Sequence, residues 1–532
     1  MKRITVLLIA VLTSVTLTAQ TVDVAPATPA ARSLQSLVAT DTSAARVDVR
    51  NFYAPAGYRL AWTRNGRPTA QAAAVIALFE SAETKGLRSL DYGAGQWTAR
   101  LSDLTSDAAQ ARFDHAVTST LVRYTNDLRA GRANPQGTRD SFNAPEFVNR
   151  VATGDAAAVI ASAEPQTADY RRLVASLAAY RRIANTDSDA LPVVTKLTKG
   201  DDYAALPQLA AKLRLYGDLA ADTKVERTKY DGAIVDAVKH FQSRHGLDAD
   251  GIIAKGTFAQ LNVPASKRVQ QLELALERVR WTPVIEAPAI VVNIPEFKLR
   301  ALSSKDGVET ELTMRVVVGK AAGSKTPVFD GDLKHVVFRP YWNVPPSIQR
   351  HEIAPKLTSS YAASHNYEVV NNAGRVVGIN ADTVQAVKNG SLSVRQKPGT
   401  SNALGLVKFL FPNDNNVYLH STPQQSLFAR ARRDFSHGCV RVEDPAALAE
   451  WVLSEKPEWT GEKIKAAMTG KKDNIYVNLA RPITVKITYH TVVAQPNGDV
   501  HFYDDIYGHD AKLVAALTPA APKGAVMVAA KR

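Results

Sequence analysis

The 532 residues are 45% hydrophobic and 22% charged, the usage of a globular chain, which excludes a wholly disordered or collagen-like protein. Lys and Arg outnumber Asp and Glu by 65 to 51, and this net charge of +14 suits nucleic acid, anionic lipid or a carboxylate-rich polymer without choosing among them. A single cysteine, Cys439, excludes an internal disulfide and leaves a buried hydrophobe, a bystander or a reagent.

Lys2 and Arg3 precede an uncharged run over 4–17, followed by the small residue Ala19. That pattern predicts a signal peptide over 1–20, too short for a comfortable membrane span. Leu17 stands where a small residue is preferred for cleavage after Ala19, so an uncleaved N-terminal membrane tether is the alternative. Export sets nucleic acid aside as a partner and puts an unpaired thiol where it is a liability unless used. Residues 21–46, rich in Ala, Thr, Ser and Pro, read as a flexible linker. From 47 to 205 the pattern is mainly helical, with Ala72, Val75, Ile76 and Phe79 in one stripe and Val117, Leu121 and Tyr124 at helical spacing. Nothing catalytic stands out there, and a scaffold domain is predicted.

Residues 206–264 form a compact unit. Ile234, Ala237, Val238 and Phe241 fall on one helical face, with Gly246 placed as a C-cap. Asp250-Gly251 makes a turn, and Thr257 with Gln260 has capping-box spacing. Beyond about Ala289 the texture changes to short β-branched or aromatic runs at 290–294, 315–318, 336–338 and 417–419. After Cys439, Asp444-Pro445 opens a helix, and Ile483, Val485, Ile487 and Tyr489 alternate as a strand. The domain is taken as 265–516, with 517–532 a loose tail.

Chemistry concentrates at His420, His437 and Cys439. Ser436-His437-Gly438-Cys439 is a tight turn able to aim successive backbone N–H groups at one point, which an oxyanion hole requires. A thiol with a pKa near ~8.5 is mostly protonated at neutral pH and needs a base or a positive field. His420, at a strand end nineteen residues before Cys439, is a rigidly mounted base, and Arg430, Arg432, Arg433 and Arg441 offer the field. The competing readings are an inert packed thiol, a solvated arginine face, and a zinc site that lacks a fourth ligand.

Two resemblances follow from these residues. The string Ala237-Val238-Lys239-His240-Phe241-Gln242-Ser243-Arg244-His245-Gly246-Leu247, with Asp250-Gly251 and Leu261-Asn262, resembles the small three-helix peptidoglycan-binding domain. Ala254 departs from it, standing where that family usually carries glycine. His420-Ser421-Thr422-Pro423 followed by Ser436-His437-Gly438-Cys439-Val440-Arg441 resembles the signature of L,D-transpeptidases with a YkuD-type catalytic domain. Arg395-Gln396-Lys397-Pro398-Gly399, Asn402-Ala403-Leu404-Gly405, Lys408-Phe409-Leu410-Phe411-Pro412-Asn413, Tyr341-Trp342-Asn343-Val344-Pro345 and Asp505-Ile506-Tyr507-Gly508 are similar to the large exported branch of that family. Ser421 departs from the Asp or Gly of many members, at a position where only the backbone carbonyl matters.

The resemblance implies an α+β fold with a helical N-terminal scaffold, a three-helix peptidoglycan-binding domain and a mixed, mainly-β catalytic domain capped by an insertion within about 345–399. It implies an exported, periplasmic enzyme that forms 3→3 cross-links in peptidoglycan, with no cofactor and no metal. Cys439 would be the nucleophile and His420 the proton acceptor and donor, oriented by the Ser421 carbonyl. His437, Gly438 and Cys439 would supply the oxyanion hole. Arg441, Tyr418, Ser436, Tyr341, Trp342 and Asn343 would contact substrate, the stem peptides and glycan of the wall. The rival readings are an L,D-carboxypeptidase on the same scaffold, a cysteine endopeptidase and a non-catalytic wall-binding protein.

Overall fold

The structure is a computed structural model that describes residues 25–135, 142–186, 190–282 and 284–518. The expected signal peptide and residues 519–532 of the expected tail lie outside the described residues. The chain divides into two compact units, 1–166 and 167–532.

In the first unit the expected linker is partly a helix. In α1 (Pro29–Thr40), Thr28 Oγ1 accepts from the Ala31 N–H, Pro29 occupies the first turn, and Leu34 and Val38 are buried. Composition alone misread the segment, because its small polar residues flank an apolar face. Then follow α2 (Arg46–Tyr53), the short hairpin β1 (Thr63–Arg64) and β2 (Arg67–Pro68), α3 (Ala70–Glu80), α4 (Trp97–Ser102), α5 (Asp107–Ala130), α6 (Ala144–Thr153) and α7 (Ala156–Ala161). The predicted stripes on α3 and α5 both face the core. Inside that core a carboxylate is enclosed. Asp114 accepts from the N–H groups of Ala61 and Trp62 at 2.8 Å each, and from the Tyr53 hydroxyl at 2.8 Å. Trp62 Nε1–H donates to Thr118 Oγ1 beside it. Burial pushes the Asp114 carboxyl up to about 6 despite those donors.

The second unit begins with α8 (Ala168–Ala184), which periodicity had assigned to the scaffold. Its buried face, Tyr170, Leu173, Leu177 and Tyr180, packs instead within the second unit. A small core is built on α9 (Leu206–Leu215), α10 (Ala233–Arg244) and α11 (Lys255–Leu261). Gln242 pins its turn, donating to the Ile252 carbonyl and accepting from the Gly251 N–H at 2.8 Å each. Thr257 is not a helix cap as expected: α11 starts two residues earlier, after Ala254, and the Thr257 hydroxyl bonds back to the Ile252 carbonyl. Ala254 is extended at φ −115°, a conformation that asks for no glycine. Next, α12 (Ala265–Trp281) lies against α8, with Arg181 and Glu273 ion-paired at 2.8 Å.

The strands that follow are β3 (Ala289–Asn293), β4 (Lys298–Lys305), β5 (Val308–Gly319) and β6 (Phe329–Phe338). An insertion comprises β7 (Trp342–Asn343), the turn α13 (Pro346–Ile348), α14 (Ser359–Ser364), β8 (Tyr367–Val370), β9 (Val376–Val377), α15 (Ala381–Asn389) and β10 (Ser393–Gln396). Its sheet runs β7-β10-β8-β9 over a core of its own, including Val344, Ile353, Leu357, Val369 and Val394. The main sheet resumes with β11 (Val407–Leu410), β12 (Leu419–His420), β13 (Asp434–Ser436), β14 (Val440–Val442) and, after α16 (Pro445–Val452) and α17 (Gly461–Thr469), β15 (Ile475–Thr488). Its order is β13-β5-β14-β12-β11-β6-β15-β3-β4, and β4 pairs back onto β5, so eight strands close a ring and β13 lies outside it. Ile483, Val485, Ile487 and Tyr489 are buried as their alternation predicts. A hairpin, β16 (Val492–Ala494) and β17 (Val500–Phe502), and α18 (His509–Leu517) finish the unit. Among the described residues no helix is long and apolar enough to cross a membrane.

Candidate active site

The site is built on three adjacent strands of the ring. Lys408 on β11 pairs with His420 on β12, and His420 pairs with Arg441 on β14. Directly paired residues project from the same face of a sheet, so these three side chains form one rung. Tyr418 and Cys439, two positions earlier on their strands, belong to the next rung, where the Val440 N–H bonds the Tyr418 carbonyl at 3.1 Å.

His420 is buried, and its Nδ1 lies against the Ser421 carbonyl. A carbonyl only accepts, so Nδ1 carries the proton and Nε2 is left with its lone pair. Burial, with Arg441 and Lys408 as neighbouring cations, pushes the imidazole down to about 3, so it is neutral at physiological pH. The backbone that holds it is fixed by Gly405, at φ +60°, where a Cβ would lie 2.4 Å from the Ser421 hydroxyl oxygen. Beside it, fully buried Asn402 donates to the Pro340 and Lys397 carbonyls and joins the two ends of the insertion.

Cys439 is half-buried. Its thiol donates to the Asn416 carbonyl at 3.8 Å and makes no hydrogen bond to His420. Burial pushes the thiol up, while Tyr418, Lys408 and Arg441 pull it down. The Tyr418 hydroxyl reaches both the thiol and the Trp342 side chain, and Lys408 Nζ sits 3.9 Å from the centre of the Tyr418 ring.

The turn before Cys439 depends on Gly438, whose φ of +116° suits glycine. The resemblance places its N–H in the oxyanion hole, but here that N–H donates to Ser436 Oγ at 3.1 Å and is not available to an oxyanion. The N–H groups of His437 and Cys439 make no hydrogen bond among the described residues and remain as donors. Ser436 is also reassigned. It is buried, and its hydroxyl donates to the Cys439 carbonyl, so it braces the turn instead of meeting substrate. From below, Thr326 Oγ1 donates to the Gly438 carbonyl at 2.7 Å and accepts from the Gly319 N–H at 2.9 Å. Tyr507 donates to the Gly319 carbonyl at 2.6 Å and accepts from the Thr326 N–H. Thr326 went unnoticed in the sequence, where a lone Thr in a loop carries no signal; Tyr507 appeared only as part of a family-like segment.

The arginine cluster does not act together. Arg433 is buried and donates to the Val316 and Phe297 carbonyls, Arg432 pairs with Asp434 at 2.7 Å, and Arg430 lies over the Phe435 ring. Arg441 alone of the four faces the thiol. Its Nη1 donates to Gln424 at 2.6 Å, and its Nε is buried with no acceptor. Of the aromatic segment, Trp342 reaches Tyr418, whereas Tyr341 stacks 4.5 Å from the Arg395 guanidinium and exposed Asn343 lies on the edge strand of the insertion's sheet. His437 Nε2 meets Glu352 of the insertion at 2.9 Å. Among the described residues no group of three or more His, Cys, Asp or Glu could hold a metal ion.

Comparison with known proteins gives three family matches: an "L,D-transpeptidase catalytic domain" of the YkuD type over 287–477, a "Scaffold domain" over 47–177 and a "Putative peptidoglycan binding domain" over 204–261. A protein of Haemophilus influenzae named "Putative L,D-transpeptidase" is 33% identical over 258 residues, 47% of this chain and 51% of that protein, so the match spans about half the relative's length. A crystal structure of an L,D-transpeptidase from Stackebrandtia nassauensis is 15% identical, covering 56% of this chain and 97% of its own, with a TM-score of 0.22. A fused Zn-dependent amidase/peptidase/peptidoglycan-binding protein of Clostridium acetobutylicum is 14% identical, covering 55% and 99%, with a TM-score of 0.16.

Proposed function

We propose that this chain, whose residues 287–477 belong to the YkuD-type family of L,D-transpeptidase catalytic domains, joins peptidoglycan stem peptides by 3→3 cross-links in the periplasm. The observation that carries the reading is a neutral imidazole, its Nδ1 held by the Ser421 carbonyl, on the same sheet face as a lone half-buried thiol. Cys439 attacks the carbonyl of the third residue of a tetrapeptide stem. As it does, the thiol leaves the Asn416 carbonyl and gives its proton to His420 Nε2. The developing oxyanion is held by the His437 and Cys439 N–H groups, with the Tyr418 hydroxyl as a further donor. His420 then hands the proton to the departing amine of D-Ala, which leaves a thioester. An amine of a second stem, deprotonated by His420, attacks that thioester and releases Cys439.

The Ser421 carbonyl keeps His420 in the tautomer this sequence needs, and the positive rung suits a substrate bearing carboxylates. The domain over 204–261 supports retention on the wall polymer. The test is to incubate the full chain with disaccharide-tetrapeptide and to follow products and intact protein by mass spectrometry. The expected product is a cross-linked dimer lacking one D-Ala, absent with Cys439→Ala. Tripeptide as the sole product would replace the reading by an L,D-carboxypeptidase. No turnover and no adduct on Cys439 would leave a wall-binding protein.

A further inference from the structure

Buried cations are normally matched by carboxylates. This second unit follows that rule at Arg244 with Asp218, at Arg278 with Asp510 and at Arg300 with Glu296, and where it does not, the buried guanidinium is met by neutral oxygens, Arg433 by the Val316 and Phe297 carbonyls and Arg268 by Gln260 and Gln271. Lys408 and Arg441 break it at the centre of the site. Both are half-buried, neither has an ion-pair partner among the described residues, and the groups recorded against them are His420, the thiol, the Tyr418 ring and the amide of Gln424. The buried Arg441 Nε has no acceptor at all. They stand one on each side of His420, about 10 Å apart at the backbone, twice the usual interstrand spacing. Two long cationic side chains at that separation converge readily on one anion above the imidazole.

Resting on the reading above, we propose that Lys408 and Arg441 together bind a carboxylate of the donor stem, and that this anion readies His420 to take the Cys439 proton. In a tetrapeptide donor the terminal carboxylate is only three bonds from the scissile carbonyl carbon, close enough to lie between the two cations while Cys439 attacks. Without an anion, the flanking charges oppose protonation of His420 at Nε2, and the base is weak. With one in place their field is cancelled, and an imidazolium becomes stable beside a reacting thiol. The charged and titratable groups recorded against His420 are Lys408 from β11, Arg441 from β14 and Tyr418 on its own strand, with the Ser421 and Leu404 backbone, so among the described residues no acidic side chain is recorded as providing this neutralisation. Lys408 is a substrate-binding residue that the sequence had shown only as part of a motif.

The test has two arms on the full chain. In the first, Cys439 is alkylated with iodoacetate and with iodoacetamide, each forming a carbon–sulfur bond, expelling iodide and releasing the thiol proton to His420 and then water. The ratio of the iodoacetate to the iodoacetamide rate is expected to fall at least tenfold in Lys408→Met and in Arg441→Met, and to recover in Lys408→Arg. An unchanged ratio overturns the proposal, whether or not the protein is a transpeptidase. In the second arm, kcat/KM is compared for tetrapeptide donors with a free terminal carboxylate, a terminal amide, and a free terminus but an amidated side-chain carboxyl on the third residue. The terminal amide is expected to cost tenfold or more in the wild type and nothing further in Lys408→Met. Loss with the side-chain amide alone would move the bound group to that carboxylate. An equal loss in Lys408→Met with all three donors overturns the proposal while leaving the transpeptidase reading intact; absence of turnover with every donor fails that reading instead.

Discussion

The first unit and the second both enclose ionisable groups, and they treat them in opposite ways. Around Asp114 both carboxylate oxygens are met by donors from Ala61, Trp62 and Tyr53. Around His420 two cations are brought in and left unmatched, with a buried guanidinium nitrogen lacking any acceptor. A satisfied buried charge locks a core; an unsatisfied one is a place for something else to bind. The enclosed carboxylate of the first unit is matched within the fold, whereas the rung of Lys408, His420 and Arg441 holds two cations with no ion-pair partner among the described residues.

The widest separation between the two regions is expected in their response to pH. His420 is held below its unfolded value of 6.5, at about 3, so between those values the unfolded chain binds the extra proton. Its contribution is fully present above about 6.5 and is lost as pH falls, at up to about 1.4 kcal/mol per pH unit. Asp114 is raised from 3.8 to about 6, so the folded state binds the extra proton and stability falls as pH rises across that window. Hydrogen exchange resolved by peptide, with His420→Gln and Asp114→Asn as references, should show the opposite slopes in the two units. Slopes of the same sign would break the contrast.

Substitution sharpens it at a smaller scale. Asp114→Ala strands the N–H groups of Ala61 and Trp62 inside the core, while the Tyr53 hydroxyl keeps Thr118 and the backbone carbonyl of residue 114, and should lower the stability of the first unit by about 3 kcal/mol in urea unfolding. Lys408→Met removes an unmatched cation from a half-buried site, and should leave the second unit unchanged or up to about 1 kcal/mol more stable while turnover collapses. A large destabilisation there would mean that Lys408 serves the fold. The smallest effect belongs to Glu352→Gln, which breaks an exposed pair with His437 and should alter stability by less than about 0.5 kcal/mol.

Much of the site was legible because its chemistry is local. A lone thiol after His-Gly, a histidine nineteen residues earlier and a following Asp-Pro helix start are all written within one stretch of chain. What could not be read depends on contacts distant in sequence. Thr326 and Tyr507 hold the Gly438 turn from far upstream and downstream, and Lys408 gains its meaning only when β11 lies beside β12. Ser436 was misassigned because spacing shows that a hydroxyl is near the thiol but not which way it points. In the fold, periodicity found the stripes of α3 and α5 and missed α1, whose buried face, Ala30, Ala31, Leu34 and Val38, includes only two large apolar side chains. A helical pattern also carries no sign of which neighbours a helix packs on: the scaffold match runs into α8, to residue 177, while the buried face of α8 joins the core of the second unit.

The insertion leaves the barrel and returns to it through adjoining strands, Trp342 opposite Gln396, with Asn402 clasping the carbonyls of Pro340 and Lys397. A subdomain mounted on so narrow a neck is an interchangeable part. It folds around its own core, so it can be enlarged, trimmed or replaced while the barrel continues through a chain that is already pinned together at that point. Exchange of the segment between Pro340 and Lys397 would still have to preserve its two touches on the site, Trp342 at Tyr418 and Glu352 at His437.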